Sequence, residues 1–315
     1  MDISLLQERA TFIGAIRAFF TARGVLEVDT PLLSTAATTD PYIDSFSTTS
    51  QGRNAEGPER LYLQASPEFF MKRLLVEGSG PIFQLAPSFR AGEIGPIHNH
   101  EFMMLEWYRP DFTMEQLMDE VEELVADFVD LPSTERMTVA EAFRQTAGID
   151  DLLSTTTEQL GEVAVAMGLP SAAEMELDWN GWVDYFIALV VIPAFSHAAL
   201  FLTHYPASQA ALARLSPDDP RVAERFELIL NGIEIANGFR ELTDATEQRR
   251  RFEREAAERL EEGLEEVVVD ENFLSALEKG LPECSGVALG VDRMMMLSMV
   301  KKQLDEVISF PAPSV

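Results

Sequence analysis

The stretch FQLAPSFRAGEIGPIHNHEFMMLEWYRP, residues 83–110, sets an arginine, a glutamate, two histidines and an asparagine between two apolar runs. In a strand, successive side chains point to opposite faces. Gln84, Ala86, Ser88 and Arg90 therefore share one face of the first run, opposite Phe83, Leu85, Pro87 and Phe89. In the second run Phe102, Met104, Glu106 and Tyr108 share a face, opposite Met103, Leu105 and Trp107. A face of Ala, Ser, Arg, Glu and Tyr makes a poor core and a good pocket floor. Arg90 offers a planar fork of donors suited to a phosphate. Glu106 is an acceptor for an ammonium, and Tyr108 can hydrogen-bond beside it. On these residues alone, a buried Arg90–Glu106 ion pair is an equal reading.

Three further segments add to this chemistry. GIEIANGFREL (232–242) carries Glu234 and Glu241 on either side of Asn237-Gly238. Asn-Gly is a tight-turn signal, so a turn there is expected to bring the two carboxylates together. Mg²⁺ takes one or two carboxylates together with phosphate oxygens, which makes Glu234 and Glu241 candidate metal ligands. In SGVALGVDR (285–293), Gly286 and Gly290 would let a base or ribose approach the backbone, and Arg293 at a helix start is placed to meet a terminal phosphate. ASPEFF (65–70) adds Glu68, suited to an α-amino group.

These groups need elements to position them. Residues 3–22 carry Leu5, Leu6, Ile13, Ile16 and Phe20 at helical spacing. RLYLQASPEFFMKRLLV (60–76) reads as a strand, a turn at Ser66-Pro67, then a helix. Thr113 and Gln116 form a capping box. Residues 130–180 read as a peripheral insertion in one catalytic domain spanning 1–315. Residues 246–263 read as a charged helix, and 285–300 as a strand running into a helix. Strands and helices mix without a βαβ rhythm, which predicts an α+β fold.

The chain has 315 residues, 46% hydrophobic, with 53 acidic against 24 basic side chains and a formal charge of −29. Such a surface repels phosphate backbones. One cysteine excludes an intrachain disulfide framework and a multi-thiolate metal site. With no apolar run of about 18 residues and no leader pattern, a cytoplasmic protein with no membrane partner is expected.

Taken in order, these segments resemble the three motifs of the class II aminoacyl-tRNA synthetases, lysyl branch. RGVLEVDTPLL (23–33) is similar to motif 1, SFRAGE…HNHEFMMLEWY to motif 2 and GVALGVDRMMML to motif 3, while HYPASQAALARL (204–215) and GIEIANGFREL are similar to lysyl-specific landmarks. The resemblance spans nearly the whole chain. With motif 1 beginning near residue 20, no anticodon-binding barrel is expected. SPEFFMKRLLV, EFMMLEWYRP, HYPASQAALA, RVAERFEL and CSGVALGVDR resemble the elongation factor P (R)-β-lysine ligase family, which is that catalytic core alone.

The resemblance implies an antiparallel sheet flanked by helices, with ATP and Mg²⁺ as cofactors. It implies activation of lysine or (R)-β-lysine as an adenylate and transfer to a lysine of elongation factor P by a homodimer, without tRNA. Arg90, Arg293, Glu234 and Glu241 would be catalytic, the two glutamates also holding the metal. Arg90, Ala91, Gly92, Glu93, His98, Asn99, Glu234, Ile235, Gly290 and Arg293 would bind ATP. Ser66, Pro67, Glu68, Glu106, Tyr108, Asn237, Glu241 and Ala288 would line the substrate slot. Ala288 stands where lysyl-tRNA synthetases resemble one another in having Gly. Gly92 stands where the family's pattern has an acid, which comes one residue later at Glu93, and Pro96 and His100 also depart from that pattern. Two rival readings are a truncated synthetase that charges tRNA and a non-catalytic paralogue.

Overall fold

The computed structural model describes residues 3–50 and 59–312. Two compact units divide the chain, Met1–Asp130 with Glu241–Val315, and Leu131–Arg240.

The first unit begins with helix α1 (Ile3–Ala22), short strands β1 (Leu26–Glu27) and β2 (Leu33–Ser34), and strands β3 (Ser47–Ser50) and β4 (Glu59–Leu63). Helix α2 (Glu68–Val76), the long strands β5 (Ile82–Phe89) and β6 (Glu101–Pro110) and helix α3 (Met114–Ala126) follow. The face alternation expected for 83–90 and 102–108 is present. β5 and β6 are antiparallel, with Phe83 opposite Trp107 and Gln84 opposite Glu106. On the apolar side, Phe20 of α1 stacks on Phe83 at 4.6 Å between ring centroids and meets Trp107 edge-on at 5.2 Å. The Trp107 indole donates to Glu120 of α3 at 3.0 Å, satisfying a polar atom that burial would otherwise penalise. The capping box expected at Thr113 and Gln116 opens α3.

The second unit holds β7 (Thr134–Thr138), α4 (Val139–Ala147), α5 (Thr157–Ala166) and α6 (Trp179–Phe186). A π-helical turn, Ile187–Val191, runs on from α6 into α7 (Ile192–Ala194), followed by β8 (Ala199–Thr203), β9 (Arg225–Leu230) and β10 (Ile233–Arg240). Capping boxes at Thr138/Glu141 and Thr156/Gln159 start α4 and α5. Trp182, Phe186 and Phe143 pack with Leu200 and Leu202 of β8 into this unit's core. Its strands lie in the order β10, β9, β8, β7, antiparallel except for the parallel pair β7–β8.

The turn expected at Asn237-Gly238 is not formed. β10 runs straight through both residues, with Asn237 opposite Glu227 and Gly238 opposite Phe226. The hairpin turn is at the other Asn-Gly pair, Asn231 (φ 53°) and Gly232 (φ 77°), between Leu230 and Ile233. A two-residue turn of this kind needs positive φ at both central positions.

The first unit resumes with α8 (Ala245–Glu261), α9 (Glu271–Gly280), β11 (Cys284–Gly290) and α10 (Val291–Ser298). β11 lies antiparallel to β6, so this unit's main strands take the order β1, β5, β6, β11, with only β1–β5 parallel. α2 carries Phe69, which stacks on Phe273 of α9 at 4.7 Å. The methionines Met294, Met295 and Met296 are buried on α10, as a core role requires. The fold is α+β, as the mixture of elements predicts. No helix among the described residues is long and apolar enough to cross a membrane.

Candidate active site

The polar face of β5, β6 and β11 forms rows across the sheet of the first unit. Gln84, Glu106 and Ala288 stand side by side, as do Ile82, Tyr108 and Gly286, and Ala86, Met104 and Gly290. Directly opposed residues on neighbouring strands share a face. From the Gln84 row to Arg90 the face spans six residues of strand, about 20 Å at 3.3 Å per residue. Between the two ends lie Ala86, Ser88 and Gly290 with Met104 and Phe102 on the same face.

One end of the floor is acidic. Glu106 is 2% exposed. Its two carboxylate oxygens accept from Tyr108 Oη at 2.5 Å and from Ser66 Oγ at 2.7 Å. Ser66 Oγ also accepts the Glu68 N–H at 3.0 Å, so one hydroxyl orients the carboxylate and satisfies an orphan donor in the first turn of α2. Pro67 lies between them as the helix N-cap, with φ −76°. Burial, reinforced by the charge of Glu68, holds the Glu106 carboxyl well above the usual carboxylate range, and burial does the same to the Tyr108 phenol. Lys72, one turn after Glu68 on α2, reaches Glu68 Oε1 at 2.5 Å and Glu241 Oε2 at 2.6 Å. Burial opposes its charge, but the carboxylates of Glu241 and Glu68 outweigh that and keep the ammonium protonated.

The other end carries the arginines. Arg90 meets Glu93 at 3.5 Å, lies over the Phe102 ring at 5.3 Å, and keeps a buried Nε without a hydrogen-bond partner. The Arg90–Glu106 ion pair weighed from the sequence is not formed, because Glu106 is held by Ser66 and Tyr108. Arg293, on α10, contacts His98 Nε2 at 2.8 Å and donates to the Ile97 carbonyl at 3.2 Å. Partial burial and then the Arg293 charge lower the His98 pKa, so the ring is neutral and its Nε2 accepts. A Cβ on Gly290 would lie 3.6–3.8 Å from the Arg293 side chain, an ordinary contact.

The loop between β5 and β6 is tied down around these groups. Ala91 donates to the Asp44 carbonyl at 2.8 Å, and Arg259 of α8 donates to the Asp40 carbonyl at 2.8 Å. Gly92 takes φ 81°. Asn99 spends both polar side-chain atoms on protein, donating to the Glu101 carbonyl at 2.6 Å and accepting from Ala312 N at 2.8 Å. His100 packs edge-on against Phe46 at 5.4 Å between centroids.

Glu234, Ile235 and Asn237 belong to the second unit. Glu234 is exposed and Ile235 buried. The register shifts by one residue between Glu234 and Ala236, a bulge that leaves Ile235 extra. Glu234 therefore lies opposite Ile229 and Asn237 opposite Glu227, on the same face of β10. The Asn237 Oδ1 is buried with no hydrogen-bond partner.

A family model for class II tRNA synthetases (D, K and N) matches residues 3–314. The chain belongs to that class II tRNA synthetase family. Among curated relatives, it is 49% identical over 309 residues to the elongation factor P–(R)-β-lysine ligase of Sodalis glossinidius (strain morsitans), covering 98% of this chain and 95% of the relative. It is 49% identical to the protein of that name from Pectobacterium atrosepticum and 47% to that from Proteus mirabilis, at the same coverage of both chains. The resemblance read from the three motifs is thus borne out, and the chain is a ligase of class II synthetase type.

For this synthetase the sequence reading missed two residues and misassigned a third. Lys72 carries no mark in the sequence beyond its i, i+4 spacing from Glu68. Gln84 lies in the Glu106 row, and its Oε1 is buried without a partner. Gly286 serves the protein's own side chains before any base or ribose: a Cβ there would fall 2.3 Å from Tyr108 Cε1 and 2.5 Å from Glu241 Oε1.

Proposed function

We propose that the protein activates (R)-β-lysine, or lysine, with ATP and transfers it to a lysine ε-amine of elongation factor P. The observation that carries this reading is the polarity of the floor, with buried Glu106 and Glu241 and partly exposed Glu68 at one end and Arg90 and Arg293 at the other. A diamino acid lying along it puts its ammonium groups among the carboxylates and its carboxylate toward the arginines. That carboxylate attacks the α-phosphorus of ATP, pyrophosphate leaves, and an aminoacyl-adenylate remains. Arg90 neutralises the α-phosphate, while Arg293, aimed by neutral His98, meets the γ-phosphate. Catalysis is then positioning and charge stabilisation, with no protein nucleophile. In the second step the partner's ε-amine attacks the adenylate carbonyl, AMP leaves, and an amide forms. A lysine amine is only about 0.04% neutral at pH 7, so docking must also help remove its proton.

The donor set suits Mg²⁺ only at a low protein-ligand count. Among the described residues no group of three His, Cys, Asp or Glu side chains converges on a metal position, and Glu241 already shares Oε2 with Lys72. Glu241 is proposed to give one oxygen, with phosphate oxygens completing the shell. The ion would supply charge neutralisation at the triphosphate. The proposed homodimer pairs through the region of β1 and β2, where Leu26, Leu32 and Leu33 are exposed. The formal charge of −29 argues for a protein acceptor over tRNA.

The test incubates the protein with elongation factor P, ATP and either lysine isomer, and weighs the product by mass spectrometry. A mass gain of one lysine residue on elongation factor P is expected. Lysylated tRNA with unmodified elongation factor P would overturn the reading.

A further inference from the structure

Lys72 is the one charged group in the acidic slot that the proposed reaction does not use. It is 1% exposed. It faces Glu68 from its own helix, Glu241 from the segment leading into α8, and Glu106 from β6, with the Phe273 ring of α9 at 5.9 Å from Nζ. Packing alone would be met by Leu or Met, and burying an ammonium is unfavourable unless it is paired.

The charge count suggests what the pairing is for. Three carboxylates, Glu68, Glu106 and Glu241, enclose the slot, and one internal ammonium offsets one of them. Two negative charges remain, which equals the two ammonium groups of a lysine isomer. Without Lys72, Glu68 and Glu241 would repel each other, and one would protonate or swing away. Glu68 is the more accessible of the two carboxylates, its side chain 16% exposed, while Lys72 and Glu241 are 1% exposed. The bridge therefore ties the accessible carboxylate to a fully buried one.

We propose that Lys72 is a positioning residue: by bridging Glu68 and Glu241 it holds both carboxylates in place and sets the slot's charge to that of two ammonium groups. The charge-count half rests on the reading that the slot takes a diamine.

Lysine-dependent ATP–pyrophosphate exchange and thermal unfolding, measured on wild type, Lys72→Met and Lys72→Arg, test this. In Lys72→Met the KM for lysine rises about tenfold or more while the KM for ATP stays within about twofold, and Lys72→Arg recovers part of the loss. Lys72→Met lowers Tm, and Lys72→Met with Glu68→Gln, which removes one of the two facing carboxylates, regains part of that loss. A purely packing role predicts no regain in the double variant and an unchanged KM for lysine, and either result overturns the proposal. If wild type shows no exchange with any lysine isomer, the functional reading and the charge count fall together. A regain of Tm in the double variant then still upholds the bridge, and its absence overturns it.

Discussion

Gly286 lies directly opposite Tyr108 in the sheet, and the space its missing Cβ would fill is taken by the Tyr108 ring, 2.3 Å away, and by Glu241 Oε1, 2.5 Å away. Neither neighbour can yield freely, since both are buried and Glu241 is tied to Lys72. Gly286→Ala is expected to cost about 1–3 kcal/mol of stability through overpacking. It should also weaken lysine binding more than ATP binding, because the displaced groups line the acidic end. Thermal unfolding and the separate KM values for the two substrates check this; equal effects on both would show that the strain is not confined to the slot.

Glu106 links this slot to pH. Burial, and next the Glu68 charge, push its carboxyl up to about 8. A carboxyl whose folded pKa lies above its unfolded value gives stability that is present at low pH and declines as pH rises through the folded value. Wild-type stability should therefore fall from about pH 5 to pH 8 through this group. Glu106→Gln keeps an acceptor oxygen for one of the two hydroxyls, offers its NH2 as a donor to the other and removes the titration, so its stability relative to wild type should climb over the same interval. Differential scanning calorimetry across pH reads the sign.

Arg90 makes few commitments to the fold, with one 3.5 Å contact to Glu93 and a free Nε. Arg90→Ala should leave the circular dichroism spectrum and Tm nearly unchanged and lower the exchange kcat by about 10²–10³-fold, the usual loss for a charge-stabilising donor. A large drop in Tm would instead make the guanidinium structural.

On the proposed reading, His98 acts on ATP through Arg293. Removing its acceptor nitrogen in His98→Ala forfeits a charged hydrogen bond, worth about 1.5–3 kcal/mol, and frees the guanidinium to wander. The KM for ATP should rise about tenfold or more while that for lysine holds.

Ala288 stands across from Glu106 on the slot wall. Ala288→Gly removes one methyl, so the preference between α- and β-lysine should shift by about 10–200-fold at most. The ratio of kcat/KM for the two isomers measures it; an unchanged ratio would move the discrimination elsewhere, with Gln84 the nearest candidate.

Much of this site can be read along the chain. The period-two pattern in 83–110 separates the face that packs on Phe20 from the face that carries Glu106 and Arg90, because a strand has only two faces and one of them is too polar for a core. The ends of α2 and α3 follow from Pro67 and from Thr113 with Gln116, since caps are local chemistry. The hairpin was less legible. Two Asn-Gly pairs lie six residues apart, and the pairing of β9 with β10, including the bulge at Ile235, selects Asn231-Gly232. A spacing of seven would place Glu234 and Glu241 on opposite faces of a regular strand, and no residue type announces the extra residue that alters that parity.

The sequence by itself determined the class of fold, the strands that carry the chemistry and the residue types at each end of the floor, because periodicity and capping act over a few residues. Only the tertiary structure decided that Lys72 lies between Glu68 and Glu241, that Glu106 turns to Ser66 and Tyr108 instead of Arg90, and that Gly286 is required by its own neighbours. Those are contacts between elements far apart in the chain. Their partners are chosen by which groups burial leaves facing one another, and that is settled only when the strands and helices have packed.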